Sequence, residues 1–194
     1  MQPRRWKDVY GAWLGVGTAP GALIVGAGQG LSASLARLFA AEGMNVAIAA
    51  RNTDKLADLC SDTGAKAYAC DAVDAGQVDA LFAAVTADMG EPDVVVYNAS
   101  NRARGPIQDL DTEAVRTAIE ISCFGGFLVA QAAAKQMIAR NKGTILLTGA
   151  SASVKGYPNS SSFAMGKFGL RGLAQSLARE LQPQNIHVAH FVID

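Results

Sequence analysis

The clearest chemical group in this chain is Lys167, which lies in SSSFAMGKFG, Ser160 to Gly169, one helical turn after Phe163. Side chains four positions apart share a helix face, so an amine and a phenyl ring look into the same space. The amine can hydrogen-bond a ligand; the ring can neither donate nor accept a proton. Nearer the start stands GAGQG, Gly26 to Gly30, directly after an apolar run. Gly26, Gly28 and Gly30 let a backbone turn sharply and approach a pyrophosphate, whose charge then sits at the positive end of the following helix, beside Gln29 and Leu31. The alternative is a tight strand-to-helix turn without a ligand.

A third group is AAR, ending in Ala50 and Arg51, about 20 residues beyond the glycines, where such folds reach the adenosine ribose. A carboxylate there would accept from the 2′-OH of NAD. A small residue followed by a guanidinium leaves room and a counter-charge for a 2′-phosphate. NADP is therefore favoured, NAD stays possible, and the competing role for Arg51 is a solvated strand-end charge.

These groups need a frame. Short β-branched apolar runs at Ala22 to Val25, Val46 to Ala49, Val94 to Tyr97, Thr144 to Thr148 and Ile186 to Ile193 predict five strands buried on both faces. Between them, helical spacing covers Ser32 to Glu42, Asp54 to Cys60, Gln77 to Met89, Thr112 to Arg140 and Phe163 to Leu181. Gly43, Gly90, Gly143 and Pro183 punctuate helix ends. Alternating strand and helix imply right-handed crossovers and a doubly wound parallel sheet between two helical layers, an α/β Rossmann-type fold. Residues 21–194 form that one domain, and residues 1–20 an N-terminal extension.

Composition agrees with one compact domain: 194 residues, 50% apolar and 18% charged. Seventeen basic side chains balance seventeen acidic ones, which offers no positive field for nucleic acid or an anionic membrane. A small molecule or a protein partner fits better. Cys60, Cys70 and Cys123 form neither a CxxC pair nor an even set, which suits buried thiols in a reducing compartment, the cytoplasm by default. The opening RRWKDVYGAW resembles a secretory or twin-arginine export signal in its basic start, but Asp8 and Pro20 interrupt it. His187 and His190 lie three apart on a strand and so face opposite ways; they are expected in the core or at its rim, not on a metal.

The chain from about Gly21 to Asp194 resembles the short-chain dehydrogenase/reductase superfamily. Of its TGxxxGxG motif, Gly26 and Gly30 match, while Val25 and Ser32 replace the first threonine and the last glycine. Asp71, in CDAVD, matches the aspartate that contacts adenine. In YNAS, Tyr97 to Ser100, Asn98 and Ala99 match the NNAG motif. GTILLTGAS and the helix bearing Lys167 follow in the family's order.

The resemblance implies hydride transfer between NAD(P)H and a carbonyl or alcohol by a serine, tyrosine, lysine and asparagine. Only Lys167 survives. Phe163 falls at the tyrosine, Ala150 at the serine with Ser151 beside it, and Ser122 at the asparagine. The usual proton transfer cannot run, and such groups typically contribute about 10² to 10⁴ in rate. Ser151 and Tyr157, on the loop between strand and helix, are the candidate substitutes, although Tyr157 also suits a pocket-wall aromatic. Ser160 to Ser162 are expected to cap the helix, and Gly125 and Gly126 to admit close helix packing. In relatives the two long helices form a dimer interface, so a homodimer is expected. Relatives also continue past the equivalent of Asp194 with a nicotinamide-contacting loop, a substrate cover, a helix and a seventh strand. The expected activity is hydride transfer between NADPH and an unidentified carbonyl or alcohol. The alternatives are a catalytically inactive NADP-binding or dimerising protein of the same fold, or a truncated fragment.

Overall fold

The computed structural model describes residues 19–194; the expected N-terminal extension and its signal-like start lie, up to residue 18, outside the described residues. Six strands, β1 (Gly21–Val25), β2 (Asn45–Ala50), β3 (Lys66–Ala69), β4 (Val94–Tyr97), β5 (Gly143–Thr148) and β6 (Ile186–Phe191), form one parallel sheet in the order β3-β2-β1-β4-β5-β6. The order reverses between β1 and β4, which opens a crevice at the carboxyl ends of those strands.

Alternation along the strands builds two cores. Leu23, Val25, Val95, Tyr97 and Ile145 face one helical layer, whereas Ala22, Ile24, Ile48 and Val96 face the other. On the first side lie α3 (Ala75–Met89), α5 (Gly125–Arg140) and α6 (Ser161–Leu181), and on the second α1 (Leu31–Ala41) and α2 (Ala57–Thr63). The doubly wound arrangement expected from the alternating runs is therefore present, with one strand more than the five apolar runs predicted. β3, KAYA, lies at the sheet edge and is largely exposed, so it carries no buried apolar run.

The predicted helix from Thr112 to Arg140 is divided. α4 (Thr112–Ile119) passes through a π-helical turn, Glu120–Phe124, into α5. Beneath this turn the buried Tyr97 hydroxyl donates to the Ile121 carbonyl. A Cβ on Gly125 would stand 2.5 Å from Tyr97 Oη and 3.0 Å from the Ala72 carbonyl oxygen, and one on Gly126 2.5 Å from Leu170 Cδ1. Those two glycines thus let the helix settle on Tyr97 and α6, the close packing expected of them. The run Thr112–Arg140 is long and apolar enough to cross a membrane by length and composition, and half of its apolar window is buried within this protein.

Candidate functional site: two chambers meeting at the end of β4

The first chamber, about 510 Å³, opens at the carboxyl ends of β1, β2 and β4. Its floor is the turn after β1. Gly26 has φ +88°, and a Cβ there would fall 2.3 Å from the backbone nitrogen of Ala99, so only glycine lets the turn lie against the β4 loop. Ser32 Oγ donates to the Gly26 carbonyl at 3.0 Å and accepts from Asn98 Nδ2 at 2.7 Å. The serine that replaces a motif glycine therefore ties the two loops together. A Cβ on Gly28 or Gly30 would meet nothing within 4 Å, and no side chain caps α1. An open, donor-rich helix start results, which favours an anion.

Arg51, Asn52 and Lys55 line one end of this chamber, with Cys70, Asp71 and Ala72 nearby. Neither cation lies within 4.0 Å of a carboxylate among the described residues. Lys55 was not foreseen; its signal was a second basic residue one turn after Arg51. The Asp71 backbone N–H is held by Gln77 Oε1 at 2.9 Å, while its Oδ1 accepts from the Val73 N–H at 3.3 Å. Burial pushes the Cys70 thiol up to about 11, which keeps it protonated and unreactive. Gly26, Arg51, Asp71, Asn98 and Ala99 all reach this chamber. Gly28, Gln29, Gly30 and Leu31 form the loop and helix start beside it.

The second chamber, about 310 Å³, shares Asn98 and Ser100 with the first and is lined further by Arg102, Ser151, Phe163 and Lys167. Lys167 is 3% exposed, and its Nζ donates to the Thr148 carbonyl at 2.7 Å. That contact and its place on this wall rule out the solvated helical lysine. Burial, then the charge of Arg102, pulls its ammonium down to about 8. Nζ stands 5.8 Å from the centroid of the Phe163 ring.

Ser151 reaches the chamber, its backbone tied to Ile193 and its side chain without a protein partner among the described residues. Tyr157 does not: its exposed ring lies outside the lining, with Lys155 Nζ 5.3 Å above it. Ser122 is wholly buried and holds the Asn101 backbone, accepting from its N–H at 3.1 Å and donating to its carbonyl at 3.0 Å. The expected cap role of Ser160 to Ser162 is corrected: Ser160 makes no side-chain cap bond, and Ser162 Oγ turns instead to Ala103. His187 is exposed, and His190 lies over Gly149 with its imidazole lowered by burial, Lys167 and Arg171. Among the described residues no three His, Cys, Asp or Glu side chains gather as metal ligands.

This sheet order, glycine turn and paired chambers accord with the family model described as short chain dehydrogenase, which matches residues 21–192. The chain belongs to the short-chain dehydrogenase family. It has that family's Rossmann-type fold. A short-chain dehydrogenase from Rhodopseudomonas palustris is 37% identical, with a TM-score of 0.85 over 90% of this chain and 84% of that one. An NAD⁺-bound xylitol dehydrogenase is 29% identical, with a TM-score of 0.86 over 89% and 69%. An actinorhodin polyketide ketoreductase bearing NADPH is 27% identical, with a TM-score of 0.86 over the same shares, 89% and 69%. The chain spans about two thirds of the length of the curated relatives it matches, 66%, 68% and 64% in three of them.

Proposed function

We propose that this protein binds NADPH in preference to NADH and transfers hydride between it and a small carbonyl or alcohol compound. The observation that carries the proposal is the meeting of the two chambers at Asn98 and Ser100. One has the glycine turn and unpaired cations that suit a dinucleotide, and the other has a buried lysine and a free serine hydroxyl. Bound nicotinamide would supply the hydride, with one proton completing reduction of a carbonyl to an alcohol. Arg51 and Lys55 would neutralise a 2′-phosphate, Asp71 would receive the adenine, and the uncapped start of α1, with Gly28, Gln29, Gly30 and Leu31, would receive the pyrophosphate. Lys167 would grip the ribose next to the nicotinamide, and Ser151 would polarise the carbonyl. With Phe163 unable to move a proton, orientation of the reactants carries more of the rate than acid-base chemistry.

The test is titration of NADPH and NADH by fluorescence. NADPH should bind more tightly, and Arg51→Asp should erase or reverse the preference. Failure of both nucleotides to bind at millimolar concentration would remove the proposal. Phe163 itself favours a second possibility, a nucleotide-binding protein that does not catalyse. Turnover of a panel of ketones and aldehydes, lost in Lys167→Ala, would decide for the enzyme.

A homodimer through the α4–α5 run and α6 belongs to the same proposal, as does a reducing, cytoplasmic setting. Phe124, Phe127, Met165 and Phe168 are 48%, 40%, 55% and 45% exposed on these elements, an apolar surface for a second copy. The three cysteines are all unpaired thiols.

A further inference from the structure

Arg102 occupies an unusual setting in the second chamber. Its guanidinium carbon lies 4.2 Å from the centroid of Phe163, the ring that stands where the family resemblance puts the proton donor. The backbone on both sides of it is fixed. Ser122 holds both polar groups of Asn101, as described above, and Ser162 accepts from the Ala103 N–H at 3.0 Å while donating to its carbonyl at 2.8 Å. Both serines are fully buried. The Arg102 N–H is taken by Asn101 Oδ1 at 2.7 Å. The backbone on either side of this exposed loop arginine is thus held by two buried serines and its guanidinium lies over an aromatic face, while it donates to no protein acceptor among the described residues. Asp194 is the acidic residue lining the chamber, and it lies beyond ion-pair distance of Arg102.

We propose that Arg102 is the specificity residue of this protein and receives the carboxylate of an oxo-acid or hydroxy-acid substrate. A guanidinium is a planar fork of N–H donors that matches a carboxylate in two parallel hydrogen bonds, and the Phe163 face beneath it helps to place the fork in advance. A cation over an aromatic face is itself favoured. Lys167 adds a second positive charge on the same chamber wall, so an anion entering there offsets the repulsion between the two. A planar carboxylate also suits a space of about 310 Å³ shared with the reacting carbonyl. Phe163 thereby acquires a function: it is the platform for Arg102, where a tyrosine would have handled a proton.

The inference rests on the second chamber being the substrate site, and its test separates the two claims. Linear oxo acids of four to six carbons and their methyl esters are compared by saturation-transfer NMR, with and without NADPH. The acids should bind about 10- to 100-fold more tightly than the esters, the range expected for charge-assisted hydrogen bonds. Arg102→Gln should abolish that preference, Arg102→Lys should keep part of it, and neither should change NADPH affinity by more than about twofold. Equal affinity for acid and ester, or a preference surviving Arg102→Gln, overturns the inference. So does a matching loss of NADPH affinity in Arg102→Gln, which would assign the guanidinium to the nucleotide. Absence of NADPH binding with the acid preference intact overturns only the oxidoreductase proposal.

Discussion

Lys167 is buried as a cation with one carbonyl acceptor, Thr148, and an arginine on the same wall. Its pKa of about 8 in the folded protein lies below the unfolded value of 10.5. Below about pH 8 both states carry the charge, and folding bears the full cost of burying it. Between about 8 and 10.5 the unfolded chain binds more protons, so this contribution makes stability rise with pH. Lys167→Met should therefore stabilise the protein at pH 7 by about 1 to 3 kcal/mol and flatten that rise in denaturant titrations, while weakening nucleotide binding. A less stable variant would mean that the bond to Thr148 outweighs the burial. Phe163 gives the complementary prediction. If the chamber is catalytic, Phe163→Tyr restores a proton carrier beside Lys167, and kcat should rise by about 10² or more on a ketone without a carboxylate. On an oxo acid the gain should be partly offset wherever the new hydroxyl disturbs Arg102.

At the scale of elements, the junction of α4 and α5 depends on Tyr97. Gly125→Ala would push a methyl into the Tyr97 hydroxyl and the Ala72 carbonyl, and should cost about 1 to 3 kcal/mol in thermal or urea unfolding. An unchanged midpoint would show that the helix can shift without penalty. The same junction shows where sequence is legible. Strands buried on both faces announce themselves as apolar runs, and β1, β2, β4 and β5 emerged within a residue or two. β6 began where expected and ended at Phe191 instead of Ile193. β3 was silent because its four residues, KAYA, are mostly exposed and carry no apolar run. The π-helical turn was silent because the tyrosine hydroxyl bonded to it comes from another element and is invisible in local spacing. At the site, Gly26, Arg51, Asp71, Asn98, Lys167 and Ser151 could be found from motif position. Arg102 could not: a lone arginine in a polar loop gives no sign that Ser122 and Ser162 fix the backbone on either side of it, or that Phe163 lies beneath its exposed guanidinium.

At the scale of the whole molecule, the exposed aromatic residues of the α4–α5 run and α6 bear on assembly. Phe124 and Phe127 stack with centroids 6.1 Å apart on the open side of the helix. Sedimentation should find a dimer in the wild type, and the double variant Phe127→Glu and Phe168→Glu should dissociate it while retaining the fold. A wild-type monomer would refute the interface. These helices also carry Ser122, Ser162, Phe163 and Lys167, so a dimer formed through them would brace the second chamber from behind.

The knot of Ser32, Asn98 and the Gly26 carbonyl makes the two chambers mechanically continuous. An incoming nucleotide would meet a cradle already tied by hydrogen bonds, so less of its binding free energy would go into the entropic cost of ordering the receptor. Severing the knot would show first as slower, leakier capture, long before the protein itself began to melt.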